Sequence, residues 1–530
     1  MNEHERMEMS RRRSLHRQRR KKVWIAIVSA AVIIGGAAAF VIAMTCNKRA
    51  SADGRTPGTI TIAGKESSGG NVSASLDTGE TAGPGETNVQ GESNAQKDTN
   101  VPRETSTQGE TNVPGEDGAQ IEAVLARAKH LAAMYDYDKA MELVKAVEGY
   151  DSNEILLAAV SEFEAEKEKL VPWTDMSSVT HIFFHSRIWG CKTACVALQS
   201  DIDGYNMYMT TAEEFKKIIQ SMYDKGYVMV SLHDLVKETK DENGNVAFVP
   251  NDELLLPPGK IPFVMSQDDV CFYHYMDGDG FATKIVIGED GKPTCEYVQE
   301  DGTTVTGDYE LVPILDRFVE EHPDFSYRGR KAILALTGYD GVLGYRTDPE
   351  YKDIHSKHLV ADQVQFLKEH PDFNWEQEVW EAKRVAQCLK ENGYEFASHT
   401  WGHIYCDSSS MDSLAADTKK WEERVVPIVG ETDILIFPHG ADFGDWHEYS
   451  ASNERYRFFK DHGFNYFCNV DGNRYFVQIT KDYVRTGRRN VDGYRMYDAI
   501  VHPEREWFGD LFDVNAVFDK QRPVPVPGVE

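Results

Sequence analysis

The stretch Pro262-Phe-Val-Met-Ser-Gln267-Asp268-Asp269 is an apolar run that stops abruptly on two adjacent carboxylates. A short β-rich segment of this kind reads as a buried strand, and similar runs recur at residues 182–184, 228–232, 332–336, 395–397, 434–437 and 466–469. Helix-like segments stand between them. Thr211 opens one that reaches about Asp224, with Glu214 as its capping-box partner and Gly226 as its stop. This alternation over residues 172–530 predicts an α/β fold, a parallel (β/α) barrel, whose active site belongs at the carboxyl ends of the strands.

Two more strand ends carry polar clusters: Tyr394-Glu-Phe-Ala-Ser398-His399-Thr-Trp-Gly-His403 and Leu435-Ile-Phe-Pro438-His439-Gly440-Ala-Asp442. With 17 histidines in the chain, a His-x3-His pair is a weak sign alone, and His181/His185 supply a decoy at the same spacing. That decoy lies along a strand, where His181 reads as structural and His185 as a possible pocket wall. The His399/His403 pair follows a strand end, and on a helical turn both imidazoles would face one side. Two imidazoles and one carboxylate make a three-ligand, zinc-type site with a position left for water. The second of two adjacent carboxylates is then free to accept a proton from that water.

These residues resemble the polysaccharide deacetylases with a NodB-homology domain, carbohydrate esterase family four. The resemblance covers about residues 175–500 and rests on Ser266 to Asp269, Ser398 to His403 and Phe437 to Gly440, with the Thr211-Ala-Glu-Glu-Phe helix leading to Lys225-Gly-Tyr-Val. It implies a distorted parallel barrel of NodB type, a divalent metal, usually zinc, and removal of acetyl groups from N-acetylated amino sugars. Asp268 then matches the catalytic base, and Asp269, His399 and His403 match the metal ligands. The oxyanion would be held in part by a backbone N–H, for which Val270 and the Phe437, Pro438, His439, Gly440 loop both qualify.

The chain also departs from that family. Ile436 and His439 stand where the family's third motif has an Arg and an aromatic residue. Arg485, Arg488 and Arg489, in Tyr483-Val-Arg-Thr-Gly-Arg-Arg, are the substitutes for the Arg, against the alternative of a solvated charged turn. The proton donor to the leaving amine is unassigned between His439 and His502, which follows Ala499-Ile-Val. About 130 residues separate Asp269 from His399, including Phe272-Tyr-His-Tyr-Met and an expected hairpin around Asp290-Gly291. Such insertions shape a groove rim or merely decorate a surface.

Toward the N-terminus, residues 1–22 carry nine basic against three acidic side chains, although the whole chain has a formal charge of −29. Residues 23–45 are apolar, and a helix of about 22 residues spans roughly 33 Å, close to the hydrocarbon thickness of a bilayer. The flanking charge predicts a single-pass cell-membrane protein with its N-terminus cytoplasmic and the rest outside. A cleaved signal peptide would have a shorter apolar region and a small-residue cleavage site. Residues 46–118, rich in Gly, Ser, Thr, Glu and Asn, predict a disordered extracellular linker. Residues 119–171 show helical spacing and resemble one tetratricopeptide-like hairpin, too little for a peptide-binding array.

The acidic balance excludes nucleic acid as a partner. Gly-x-Ser-x-Gly, phosphate-loop and Gly-x-Gly-x-x-Gly signatures are absent. Of eight cysteines, Cys46 adjoins the apolar segment and the other seven cannot all pair within one chain; Cys406 is a conceivable extra ligand. The sequence therefore predicts a zinc-dependent deacetylase acting on an extracellular glycan such as peptidoglycan. Its competitors are a glycoside hydrolase and a non-catalytic glycan-binding or scaffold protein on the same fold.

Overall fold

Period-two alternation of side chains decides how the barrel is built, because each strand must bury both faces. The computed structural model describes residues 116–188, 199–240, 244, 246–299 and 301–529. The basic tail, the apolar segment 23–45, nearly all of the expected linker, and Cys191 and Cys195 lie outside those residues. Among the described residues no helix is long and apolar enough to cross a membrane.

Eight strands form the central parallel sheet: β1 (Thr180–Phe184), β2 (Tyr227–Met229), β3 (Ile261–Gln267), β4 (Ile333–Leu336), β5 (Glu395–Ser398), β6 (Ile434–Ile436), β7 (Tyr466–Val470) and β8 (Val484–Asn490). Seven of them close a ring in the order β4-β5-β6-β7-β8-β1-β3, and β3 pairs back onto β4. β2 shares one edge of β3 with β4: Tyr227 to Met229 pair with Ile261 to Phe263, and Ile333 and Leu334 pair with Ser266 and Gln267. That shared edge is the distortion of the barrel. A short outer strand, Val477–Ile479, runs antiparallel along β8.

Side chains on alternate positions separate cleanly. Val264, Ile333, Ala335, Ala397, Ile436 and Cys468 pack inside the ring. Their neighbours Phe263, Met265, Leu334, Phe396, Leu435 and Phe467 face the surrounding helices. Each such large apolar side chain, fully buried, contributes about 1.5–3 kcal/mol. The helices are α4 (Ala212–Asp224), α5 (Leu311–Glu321), α6 (Trp375–Glu391), α7 (Met411–Arg424), α8 (Glu454–Asp461) and α9 (Gly493–Val501), preceded by α1 (Glu116–Ala133), α2 (Tyr137–Lys145) and α3 (Glu154–Lys167). The start of α4 carries the expected capping box: Thr211 Oγ1 accepts from Glu214 N, and Glu214 accepts from Thr211 N.

Helices α1 to α3 share a small core of Ala128, Ala140, Val144, Leu156 and Phe163. They dock on the barrel unit through Tyr135 Oη, which donates to Asp324 O at 2.9 Å, and through Arg328 N, which donates to Met134 O at 2.7 Å. The segment between β3 and β4 holds the expected hairpin, Ala282–Ile287 against Pro293–Val298, with Gly291 at φ +76° in the turn and Thr304–Gly307 as a third strand.

One expectation is corrected. The basic run at 483–489 is no solvated turn: it is β8, and every residue from Val484 to Arg489 is buried. Three arginines in so short a segment hide a strand from hydropathy, but each guanidinium finds its own acceptors. At the opposite, amino-terminal end of the ring, His233 sits between Glu395 Oε1 (2.8 Å) and Asp433 Oδ1 (3.0 Å). Burial opposes its charge, but the hydrogen bonds it donates to both carboxylates outweigh it and push His233 up to about 10.

Candidate metal centre

The site begins where β3 runs out. Asp268 N still donates to Phe184 O at 2.8 Å, so Asp268 keeps strand alignment and its side chain enters the ring mouth. Asp269 breaks away at φ +60°, and Phe272 repeats the left-handed turn at +57°. Non-glycine residues held there cost of order 1–3 kcal/mol each and persist where surrounding structure requires them.

β5 delivers the histidines. His399 N donates to Leu336 O at 2.8 Å, and its Nδ1 lies 2.8 Å from Ile436 O. A carbonyl only accepts, so Nδ1 carries the proton and Nε2 presents its lone pair. The chain then leaves the strand as an irregular loop, with Thr400 at φ +55° and His403 at +53°. The expected helical turn is absent. Asp417 on α7 replaces it, accepting Trp401 N and Gly402 N at 2.7 Å each. Burial raises Asp417 to about 6 despite these two donors.

The result is convergence. Ligand atoms of Asp269, His399 and His403 all lie within 4.8 Å of one another. His403 Nε2 is 3.7 Å from Asp269 Oδ1, and the two imidazole centroids are 4.9 Å apart. Burial pushes His399 down to about 4, against the opposing field of Asp268, so its imidazole is neutral and can ligate. Two imidazole nitrogens and one carboxylate are a donor set that suits zinc or a similar divalent ion. Cys406 stays out of this group, with its Sγ 3.9 Å from Ile404 O.

Beside the triad, Asp268 is gripped by Arg488. The guanidinium reaches Oδ1 at 2.6 Å and Oδ2 at 3.0 Å, donates to Ser266 Oγ at 3.2 Å, and lies 4.1 Å from the Phe183 ring centroid. His181 lies beneath, its ring nitrogens 2.9 Å from Thr486 Oγ1 and 3.0 Å from Ser266 Oγ. Burial alone would hold Asp268 neutral, but Arg488, with His399, overrides it and keeps the carboxyl at about 2. Of the three arginines named as substitutes, Arg488 is thus the one that reaches Asp268, and it arrives from β8.

The other residues expected at the site are placed as follows. Arg485 and Arg489 lie on the outer face of β8, because alternation turns Val484, Thr486 and Arg488 to the other, inner face. Arg485 pairs with Asp442 at 2.6 Å and donates to His447 O, whereas Arg489 pairs with Asp510. Phe437 also points outward, stacked on Phe467 and edge-to-face with Phe443, and Pro438 is buried beside it. Gly440, at φ +66°, backs onto Val470. His439 is exposed at the rim, its ring 4.3 Å from that of His403 and stacked at 4.0 Å on Tyr405.

His502 caps the far end of α9 and is 3.5 Å from Glu504. Since α9 starts directly after β8 and its nine residues carry the chain roughly 13 Å onward, His502 is not brought to the triad. Val270 N–H is committed to Ala335 O at 3.1 Å and cannot serve an oxyanion. Within 437–440, Phe437 N donates to Cys468 O and Gly440 N to Phe437 O, so His439 N is the amide that remains.

Sequence reasoning also missed Asp417, whose role lies in contacts 15 and 16 residues away along the chain that no local pattern signals.

No family model matches the chain, and no curated protein matches it. Among solved structures it is similar to a Streptococcus pyogenes deacetylase, PplD, in complex with acetate. The identity is 11%, the match covers 59% of this chain and 92% of that one, and the TM-score is 0.30.

Proposed function

We propose that the protein is a metal-dependent hydrolase that removes N-acetyl groups from an amino-sugar glycan outside the cell, peptidoglycan first among the substrates. The observation that carries this reading is a carboxylate kept ionised by Arg488 beside a converging Asp-His-His set. A divalent cation on that set would polarise the amide carbonyl and make bound water more acidic, lowering its pKa. Asp268 accepts the proton from the attacking water, and its anionic state at neutral pH is what Arg488 secures. The backbone N–H of His439 would receive developing negative charge, and the His439 ring, 4.3 Å from that of His403, would protonate the leaving amine. Residues 23–45 would tether this activity to the membrane.

A glycoside hydrolase needs one carboxyl protonated at working pH. Asp268 and Asp269 are both pushed down, Asp269 by His403 and His399 against its burial, so neither suits that role. The test is acetate release from N-acetylglucosamine oligomers by the ectodomain. Release that is stopped by a chelator and by Asp268→Asn supports the proposal. Chelator-insensitive formation of reducing ends, or saturable glycan binding without acetate, overturns it.

A further inference from the structure

The segment that follows Asp269 leaves β3 through two left-handed residues and returns its fourth side chain to where it started. Cys271 N donates to Asp269 O at 2.7 Å, and Leu343 N holds Val270 O at 3.1 Å, so the backbone of this turn is fixed at both sides. Tyr273 Oη then lies 2.8 Å from Asp269 Oδ1 and 2.9 Å from Thr337 Oγ1. A carboxylate only accepts, so the phenol gives its single proton to Asp269 and receives one from Thr337. The bonded oxygen is the one that faces His403.

We infer that Tyr273 is a positioning residue for the metal centre, fixing Asp269 Oδ1 on the ligand side of the triad. The inference rests on reading the triad as a metal centre. The ring of Tyr273 stacks on those of Tyr275 (5.4 Å between centroids) and Tyr339 (5.3 Å), at interplanar angles of 13° and 18°. That stacking leaves the hydroxyl a single aim. Thr337 is wholly buried at the end of β4, so the anchor of the phenol belongs to the barrel rather than to a surface loop. Outer-shell partners of ligating carboxylates tune metal affinity typically 10–100-fold, through orientation rather than through charge. The turn at Asp269 and Phe272 has a use on this account: it brings the Tyr273 side chain back onto the carboxylate of its own segment.

The experiment measures zinc affinity by competition with a chromophoric chelator, and the visible spectrum of the cobalt(II) form, for wild type, Tyr273→Phe, Thr337→Val and His399→Ala ectodomain. Apo-protein melting is followed in parallel. Tyr273→Phe is expected to weaken zinc about tenfold or more and to shift the cobalt bands, at a melting temperature close to wild type, with Thr337→Val in the same direction and smaller. Should Tyr273→Phe fail to fold, Thr337→Val alone decides, because it removes the anchor while keeping the phenol. Wild-type zinc affinity and an unchanged cobalt spectrum in the folded variants overturn the inference while leaving the metal centre standing. Equal zinc binding by wild type and His399→Ala overturns the metal centre itself, and this inference with it.

Discussion

Replacing Arg488 by Met would keep most of its volume and remove its charge, leaving Asp268 buried and alone. Both partners are almost wholly enclosed, at 0% and 4% side-chain exposure, and they meet through two hydrogen bonds of 2.6 and 3.0 Å. Stranding one partner of such a pair typically costs about 3–5 kcal/mol. The proton balance gives a consistent scale: a carboxyl held at about 2 against an ordinary 3.8 stabilises the folded state by about 2 kcal/mol at neutral pH. The sign follows from the direction of the shift. In wild type this contribution is present above about pH 4 and is lost as pH falls toward 2. In Arg488→Met burial loses its main opponent and only the weaker pull of His399 and His185 remains, so the folded value rises above the ordinary one and the carboxylate destabilises the fold at neutral pH until acid neutralises it. Urea unfolding at pH 7 and at about pH 3.5 should therefore show a gap between the two proteins that is wide at the first and much narrower at the second. A gap of the same size at both, or one below about 1 kcal/mol at pH 7, would refute the reasoning. Arg488→Lys should recover charge but lose the two-point grip, and fall between.

At the other end of the ring, His233 is raised to about 10, so its stabilising charge is complete below its ordinary 6.5 and is lost as pH rises through 10. His233→Gln should flatten the alkaline fall in melting temperature, and a wild-type profile that is already flat from pH 7 to 10 would count against the pairing. For proton donation, His502→Ala should leave acetate release within about twofold of wild type, whereas His439→Ala should lower it by about 10²-fold or more. The reverse ranking would return the donor to the end of α9.

The seven apolar runs were legible because strands buried on both faces leave an uninterrupted β-rich signal, and the motif residues were legible because they sit just where those signals stop. β8 was not, since arginine at three of seven positions looks like surface until the partners Asp268, Asp442 and Asp510 are known, and they lie in distant segments. Parity would have helped: if β8 is a strand, Arg488 shares a face with Val484 and Thr486, and only it can enter the ring. The His399–His403 loop was misread as helical because i, i+4 spacing is shared by a helical turn and by a loop whose amides are gathered by Asp417. In the sequence Tyr273 is only part of an insertion that either shapes a groove rim or decorates the surface, since a turn with two left-handed non-glycine residues has no sequence mark.

The ring is unevenly laced. Between β3 and β4 the register covers two residue pairs, and between β5 and β6 it is the single pair Ser398 and Leu435, whereas β4 and β5 match over four. The β4–β5 pair is thus a panel hinged on thin seams, and it carries Thr337, His399 and His403. Asp268, Asp269 and Arg488 belong to the frame on the other side. An ion shared by Asp269 and the two histidines would rivet panel to frame, so loading should slow hydrogen exchange at Ile333, Leu334 and Leu435 more than along the broad β7–β8 seam.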